Sequence, residues 1–435
     1  MANPTLPDDT IEPRLPPSEL PAMDAPVWRR KGVLNLLVIA LFAELGLAVL
    51  NISTMPVYLA KDRGLGGGAI GLVLGAFLLS EALFKSPMGH LADRVGRKTM
   101  MTIAPLLTVG TALLTLAVPH GWGTAEVAVI VALRVVDGLG AAMFWPAAYA
   151  ASGECVADKE RQQAMSLLNA CYFVGIAFAL PIGGAMEDLV GYNASLYMAA
   201  GVFFIVAISV NRLLPNDKPH RHEEQIEGEF NLMQFVHTAR EIPQYLLLSL
   251  VTFCGIGFPA ANIKLFALDQ FKMTASQFGS FIVLPGALAM VVLSVPMSNL
   301  GERLGRARAV HIGMGMCAGG LIVIALGAVV PLMRSPLVMA AGGIPLGVGF
   351  LLAIPAWMAS VSDINPKRRA ANLGAVMTAQ GLGAIIGVPL GGFMYERLTF
   401  AGPDFARYSP FIGCAVFVTA GWLISLRILR HRSEV

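Results

Sequence analysis

Charged residues are scarce in this chain, and their scarcity excludes an ordinary water-soluble protein. Asp, Glu, Lys and Arg make up 14% of the 435 residues, whereas 56% are hydrophobic. Soluble globular proteins carry about 25% charged residues, because a surface that faces water needs them. The formal net charge of +3 is too small to indicate nucleic-acid binding. We therefore expect the lipid bilayer as the main partner of the chain, and no nucleic acid.

Cysteine is scarce too, and the common catalytic motifs are missing. The five cysteines lie scattered in apolar runs, at spacings that suit neither a metal site nor a disulfide framework. The sequence has no Walker loop, no G-x-S-x-G and no H-E-x-x-H. The G-x-G-x-x-G match at 66–71 follows no strand, so we reject dinucleotide binding. The sequence predicts no enzyme, no metal and no cofactor.

Long apolar runs dominate the rest of the chain. About 20 apolar residues cross the hydrocarbon core of a bilayer as a helix. Twelve such runs lie near 33–59, 69–92, 99–118, 124–149, 162–186, 193–213, 243–268, 276–299, 309–331, 336–359, 370–395 and 407–429. The sequence therefore predicts an all-α membrane protein with twelve transmembrane helices.

Two polar stretches divide the chain. Residues 1–27 are rich in proline and predict a disordered tail. Residues 214–240 separate six spans from six, and apolar residues of their second half share one helical face, which predicts a helix at the membrane surface. The predicted units are a bundle at 28–213, a linker at 214–240 and a bundle at 241–435.

Lysine and arginine are unequally divided between the two sides of these spans. One side carries basic groups at 29–31, 94–98, 159–161, 212–240, 303–308, 367–369 and 427–432. The other side carries fewer, namely Lys61, Arg63, Lys272, Arg334, Arg397 and Arg407. Because basic loops stay in the cytoplasm, the pattern predicts a multi-pass protein of the plasma (inner) membrane with the tail, the linker and both termini cytoplasmic.

The two halves of the chain repeat each other. Residues of the first half recur 208 or 209 positions later, in the same order: Pro87-Met88 as Pro296-Met297, Asp93–Arg97 as Glu302–Arg306, Gly138 and Pro146 as Gly347 and Pro355, and Pro181–Gly184 as Pro389–Gly392. This order indicates a duplication. Two related six-helix bundles with a site between them, near the middle of the membrane, form a transporter architecture.

The turn between the second and third spans carries a dense motif. It reads Gly89-His90-Leu91-Ala92-Asp93-Arg94-Val95-Gly96-Arg97-Lys98. Gly89 permits close approach of helices, and Gly96 permits a tight turn. The Asp93 carboxylate can interact with Arg97 and with the positive N-terminus of a neighbouring helix. Such a cluster can hold one face of a carrier shut. The alternative is a basic loop that only fixes the orientation of the chain.

This motif is similar to the signature loop of the major facilitator superfamily, G-x-L-a-D-R-x-G-R-K, with every defining position filled from Gly89 to Lys98, Arg94 included. The resemblance covers residues 28–432 and implies two pseudo-symmetric six-helix bundles that transport by alternating access. The second copy departs from the pattern, because Glu302 replaces the aspartate, although Arg303 and Arg306 remain.

Two further segments resemble the drug–proton antiporter branch of that superfamily. Arg134-Val135-Val136-Asp137-Gly138 resembles its R-x-x-x-G element, which is associated with proton coupling. Gly175 with Ala179–Gly184 resembles its G-x-x-x-G-P-x-x-G-G element, although Leu180 stands where the family has glycine. The prolines and glycines that we expect to pack the fifth and eleventh helices are Pro181, Gly183, Gly184, Pro389, Gly391 and Gly392.

Ionisable residues inside the predicted spans are the candidate coupling groups. They are Glu44, Glu81, Lys85, Arg134, Asp137 and Lys264. Glu44, Glu81 and Asp137 lie near the middle of their own spans, where a charge costs about 2.5–3.5 kcal/mol on insertion scales. A carboxyl group that gains and loses a nearby arginine would release and bind a proton. The histidines lie in or near loops, so carboxylates are the preferred proton carriers.

Local neutralisation is the alternative explanation for four of these residues. Glu81 and Lys85 are spaced i,i+4, and Arg134 and Asp137 are spaced i,i+3, so each pair can form an ion pair on its own helix. Glu44 has no such neighbour. Uncharged candidates for the cavity, each of which also suits ordinary helix packing, are Asn51, Tyr58, Trp145, Tyr172, Asn262 and Gln380.

The sequence predicts a monomeric secondary transporter driven by the proton gradient, with a small molecule as its substrate. The buried acids and the antiporter resemblance favour export of small lipophilic or cationic compounds. The alternative is proton-coupled uptake of a sugar, organic acid or other metabolite. Lys264 and Arg134 would favour an anionic substrate if they faced the cavity. An intramembrane enzyme or a lipid-moving protein forms a third class, which the missing catalytic motifs disfavour in part.

Overall fold

Twelve long helices account for most of the structure, which is a computed structural model that describes residues 26–156, 161–215, 240, 242–362, 364 and 369–429. Their bounds are α1 Lys31–Asp62, α2 Gly67–Val95, α3 Arg97–Ala117, α4 Thr124–Glu154, α5 Arg161–Leu189, α6 Tyr192–Leu213, α7 Pro243–Ala260 continued by Ile263–Phe271, α8 Ala275–Gln277 continued by Phe278–Val283 and Leu284–Leu304, α9 Arg306–Ala325, α10 Pro336–Ser362, α11 Arg369–Arg397 and α12 Pro403–Ile428. All twelve are long and apolar enough to cross a membrane. The prediction of an all-α membrane protein with two six-helix bundles is confirmed.

Three of these helices, α1, α7 and α8, depart from regular α-helical geometry within their spans. The segment Val49–Thr54 of α1 and the segment Phe278–Val283 of α8 are π-helical. In α7 the regular helix ends at Ala260 and resumes at Ile263, after Pro259. Such interruptions free backbone carbonyls and recur at functional sites.

The duplication is visible in the turns that join α2 to α3 and α8 to α9. Gly96 has a φ of 104° and Gly305 a φ of 80°, a region that favours glycine over other residues. Each glycine ends one helix and begins the next without a loop. The tight turn expected at Gly96 is therefore present. We call the end of the bundle that carries these two turns the basic end.

The two halves meet at the opposite end, which we call the closed end; it comprises the starts of α2 and α8 and the final turns of α5 and α11. A methyl group added at Gly71 would lie 2.8 Å from the Cα of Pro389, and one added at Gly184 would lie 2.7 Å from the amide nitrogen of Ser276. Glycine is needed at both places because α2 then touches α11, and α5 touches α8, backbone to backbone. Toward the basic end Leu83 of α2 is 62% exposed.

Helix ends are the main differences from the sequence-based prediction. The fifth span was expected to end near 186, but α5 continues to Leu189. This extension places Glu187 within the helix, at the closed end. The predicted tail and the predicted surface helix of the linker lie outside the described residues, apart from a few flanking positions.

Candidate functional site

Glu44 of α1 is the most isolated buried acid of the protein's first half. It is 2% exposed, and its Oε2 has no hydrogen-bond partner within the described part of the chain. The helix α5 approaches α1 closely at this point, since a methyl group added at Gly175 would lie 2.8 Å from the Cβ of Glu44. A buried carboxylate oxygen without a partner costs free energy, which a proton or a cation would recover.

Aromatic side chains of α4 and α5 surround the same region. The ring of Trp145 lies 5.2 Å from that of Tyr172 and 5.9 Å from that of Tyr149, measured between centroids. Both tyrosines lie within electrostatic range of Glu44. Aromatic faces attract organic cations, so a carboxylate beside such rings forms a wall suited to a lipophilic cation.

Glu81 and Lys85 of α2 form the local ion pair that the spacing allows. Lys85 Nζ donates to Glu81 Oε1 over 2.8 Å. The lysine side chain is 51% exposed and that of Glu81 19%, so the pair lies at a solvent-accessible edge of the bundle interior. Glu81 and Lys85 both act electrostatically on Glu44. The pair and Glu44 thus belong to one region.

Arg134 and Asp137 of α4 form a second, fully buried network. Arg134 Nη1 donates to Asp137 Oδ2 over 2.7 Å and to the Asn51 side-chain oxygen over 3.3 Å, with both members of the ion pair 0% exposed. Thr111 donates to the second Asp137 oxygen over 3.0 Å, and Thr115 accepts from Arg134 Nη2 over 3.3 Å. Asp137 is therefore paired, and the three mid-span carboxylates form two separate sites.

Lys264 lies in a third cluster, which joins the two halves. Its ammonium donates to both carboxylate oxygens of Glu187 on α5, over 3.0 and 2.8 Å. It also donates to the carbonyl and the hydroxyl oxygen of Ser53 on α1, over 2.7 and 3.0 Å. The ammonium is therefore enclosed by acceptors in this state, and a role of Lys264 in proton coupling or in the substrate cavity stays a prediction.

Sequence reasoning missed three buried charges, Glu187, Arg63 and Glu126, which the fold pairs across helices. Glu187 was placed beyond the end of its span, although it lies only three residues after Gly184. Arg63 looked like a loop residue, but its guanidinium donates to Glu126 over 3.0 Å and to the Tyr58 hydroxyl over 2.8 Å in an interior site. Their charge was the signal that could have found these residues, because charged residues are rare in and beside the spans.

The remaining uncharged candidates are all at least half buried. Asn262, at the break in α7, is 1% exposed, and neither atom of its amide has a partner among the described residues. Gln380 of α11 has an unpaired Nε2 as well. These amide atoms, unpaired among the described residues, remain candidates for ligand binding, whereas the Tyr58 hydroxyl accepts a hydrogen bond from Arg63.

The gating motif at the basic end is described only in part. The side chain of Asp93 lies outside the described residues, so its expected contact with Arg97 is not seen. Lys98 donates to the carbonyl of Leu214 over 2.8 Å. A methyl group added at Gly89 would lie at an ordinary 3.6 Å from Pro146, so no close approach is described there. Residues of the motif and of its copy that lie partly or fully exposed are Arg94, Arg97, Lys98, Glu302, Arg303 and Arg306.

At the closed end, the duplicated glycines and acids make matching contacts. Gly183 of α5 faces Ser53 of α1, and Gly391 of α11 faces Phe258 of α7, so each contacts the first helix of its own half. Gly392 faces Gly67 of α2, as Gly184 faces α8. Pro181 and Pro389 lie beside these contacts, against Gly279 and Gly71 respectively.

An acidic residue follows each of these glycine pairs and caps a helix of the other half. The backbone N–H of Ser276 donates to Asp188 over 2.8 Å, and the N–H of Gly68 donates to Glu396 over 2.9 Å. Both carboxylates stand at a positive helix N-terminus, which favours negative charge. The closed end is therefore held by two equivalent caps. No cluster of potential metal ligands occurs among the described residues.

Comparison with known proteins gives relatives that include two bacterial drug-resistance proteins and the human MFS-type transporter SLC18B1, which is 23% identical over 416 residues. The chain is 23% identical over 359 residues to Multidrug resistance protein 2 of Bacillus subtilis. This alignment covers 81% of this chain and 86% of that protein. It is 29% identical over 185 residues to the quinolone resistance protein NorA of Staphylococcus aureus. This second alignment covers only 42% of this chain and 45% of that protein.

The solved structure of the nucleoside transporter NupG is similar in fold, with a TM-score of 0.73 at 14% identity over 92% of this chain and 99% of that one. A likeness at this identity shows the fold alone. The sequence profile of the Major Facilitator Superfamily matches residues 36–289 and 245–434, which together span nearly all of the described helices. The chain is a transporter that belongs to the major facilitator superfamily.

Proposed function

We propose that this transporter is a proton-coupled antiporter that exports small lipophilic cations by alternating access. The single observation that carries the proposal is the unpaired, buried Oε2 of Glu44 beside the aromatic rings of α4 and α5. A cation with apolar substituents would satisfy the carboxylate and cover the rings. Two relatives named for multidrug and quinolone resistance support export of small drug-like compounds, and their names leave the charge of the substrate open.

The alternative, uptake of an organic acid, needs a cation that faces the substrate. Three cations lie inside the predicted spans, and a carboxylate engages each of them: Glu187 binds Lys264, Asp137 binds Arg134, and Glu81 binds Lys85. An anionic substrate at Lys264 or Arg134 would have to displace a buried carboxylate, which costs several kcal/mol, and one at Lys85 would meet the negative charge of Glu81. The geometry therefore favours a cation over an anion.

Proton coupling follows from competition at Glu44. A proton and an organic cation each neutralise the same carboxylate, so binding of one promotes release of the other. Asp137 would contribute in a second way, because separation from Arg134 as the helices move would let it take up a proton. The lysines and arginines of the basic end favour the cytoplasm for that side, from which an exporter would take up its substrate.

The test uses purified protein in vesicles that contain a pH-sensitive dye. A pH gradient is imposed, and lipophilic cations, sugars and organic acids are added one at a time. We expect the lipophilic cations to collapse the gradient, and Glu44→Gln and Asp137→Asn each to uncouple transport from pH. Glu126→Gln is the matched control, because Glu126 is equally buried but binds Arg63 away from Glu44.

Two outcomes would contradict the proposal. Full proton-coupled activity of both Glu44→Gln and Asp137→Asn would show that neither residue carries the proton. Proton movement with sugars or acids only, in the same direction as the solute, would establish uptake instead of export.

A further inference from the structure

The ion pair of Lys264 and Glu187 differs from the other charge pairs because it is both buried and shared between the halves. The side chains are 2% and 1% exposed. Glu187 belongs to α5 of the first half, whereas Lys264 belongs to α7 of the second. Any motion that parts the halves at the closed end must separate the two charges.

Two other ion pairs provide the comparison. Lys61 and Asp269 also join the halves, but their side chains are 42% and 27% exposed, so water replaces the partner when they separate. Arg63 and Glu126 are buried at 0% and 3%, but both lie in the first half and stay together when the halves move. The Lys264–Glu187 pair is buried, and its two members also part when the halves move.

Separation would leave Glu187 without its counter-ion. The other ionisable groups in electrostatic range of the pair are Asp188 on the same helix and Tyr192 on α6, neither of which supplies positive charge. From α1, Ser53 contributes a hydroxyl group, and α8 contributes the amide of Ser276, which Asp188 already binds. A carboxylate in such surroundings is neutralised by a proton when its cation leaves.

We propose that Glu187 is a further proton-binding site of the carrier, besides Glu44 and Asp137, which takes up a proton when the closed end opens and Lys264 withdraws, and which releases it when Lys264 returns. The proton comes from water that enters the opened end and binds one carboxylate oxygen; Lys264 remains an ammonium throughout. The role of this proton in transport rests on the proposed function, but its uptake depends only on the motion of the halves.

The π-helical segment of α1 connects this site with the Arg134–Asp137 network. Ser53 accepts from Lys264 through its carbonyl and its hydroxyl, and Asn51, two residues earlier, contacts both Arg134 and Asp137. Withdrawal of Lys264 removes two hydrogen bonds from Ser53 and so loosens the segment that carries Asn51. Proton uptake by Glu187 is thereby linked to the carboxylate of Asp137.

The experiment measures opening of the closed end without substrate and without a pH gradient. Spin labels are attached by Trp122→Cys in the turn between α3 and α4 and by Leu332→Cys in the turn between α9 and α10, where these side chains are 56% and 84% exposed. The five native cysteines are first replaced by alanine. Distances between the labels are recorded from pH 8 to pH 5 in the full-length protein in lipid nanodiscs.

We expect the open population to grow as the pH falls, by at most about tenfold per pH unit for one linked proton. Glu187→Gln should abolish this response, because the amide cannot take up the proton. Lys61→Met and Glu126→Gln should keep the native response. If Glu187→Gln fails to fold, the double variant Glu187→Gln with Lys264→Met removes both charges and should be equally insensitive to pH.

A native pH response in Glu187→Gln or in the double variant would overturn the proposal, and so would a wild-type protein that shows no response. Glu44→Gln separates this inference from the proposed function. It should lose cation–proton exchange in vesicles yet keep the pH response of the labels, so failure of one assay leaves the other interpretable.

Discussion

The glycine contacts between the halves lead to a sharp prediction for Gly71→Ala. The new methyl group would lie 2.8 Å from the Cα of Pro389 and 3.0 Å from the carbonyl oxygen of Val388. Carbon atoms in contact prefer about 3.5–4.0 Å. Both neighbours are backbone atoms and cannot rotate away, so α2 and α11 must move apart by roughly 1 Å.

Overpacking of this kind costs about 1–3 kcal/mol, and here the cost falls on the closed state alone. The fraction of molecules in which the closed end has opened should therefore rise by about 5–150-fold. Gly279→Ala on α8 should act in the same way, because its methyl group would meet the backbone of Pro181 and Leu180. The label pair at Trp122 and Leu332 reports both variants.

Gly381→Ala on α11 is the matched control. No atom lies within 4 Å of the methyl group that it adds, yet it changes helix propensity in the same direction as Gly71→Ala. The reasoning is refuted if the label distances of Gly71→Ala match those of the wild type, or if Gly381→Ala shifts them equally.

Four other variants test the charges. Asp188→Ala combined with Glu396→Ala should favour opening of the closed end by about 1 kcal/mol per cap, and unchanged label distances would show that the caps contribute nothing. Asp137→Leu should lower the free energy of unfolding in detergent by about 3–5 kcal/mol, because Arg134 is left buried with an unpaired charge. Adding Arg134→Leu should restore much of that loss, and a double variant less stable than the single one would contradict this. Lys61→Met should change the free energy of unfolding by less than about 1 kcal/mol, because its ion pair is exposed. A larger loss of this free energy would contradict the inference that exposure makes the pair weak.

Local patterns identified the fold and the family correctly, and the physical reason is that both depend on features within one helix or one turn. The number of spans follows from apolar length, because a helix of about 20 residues must cover the hydrocarbon core. The turn at Gly96 follows from a positive φ that favours glycine. The local pair Glu81–Lys85 follows from helical spacing.

The pairing of charges between helices was not predictable in the same way. Lys264 was recognised as a candidate coupling group, but its partner Glu187 is 77 residues away in the sequence and belongs to the other half. The position of Glu187 inside α5 depends on where that helix ends, and helix ends are the least certain feature of a sequence pattern. Arg63 and Glu126 likewise meet only after α1 has docked beside α4.

Sequence patterns were sufficient to establish the membrane class, the twelve helices, the duplication and the charged residues in the middle of the spans. Composition and periodicity are sufficient for these features, because lipid imposes the same length and polarity on every span. The tertiary structure decided which charges are neutralised and by which partner. It left Glu44 with an unpaired oxygen, enclosed Asp137 with Arg134 and placed Lys264 against Glu187. Those contacts depend on how the helices of two halves dock, and no local pattern in the sequence records that geometry.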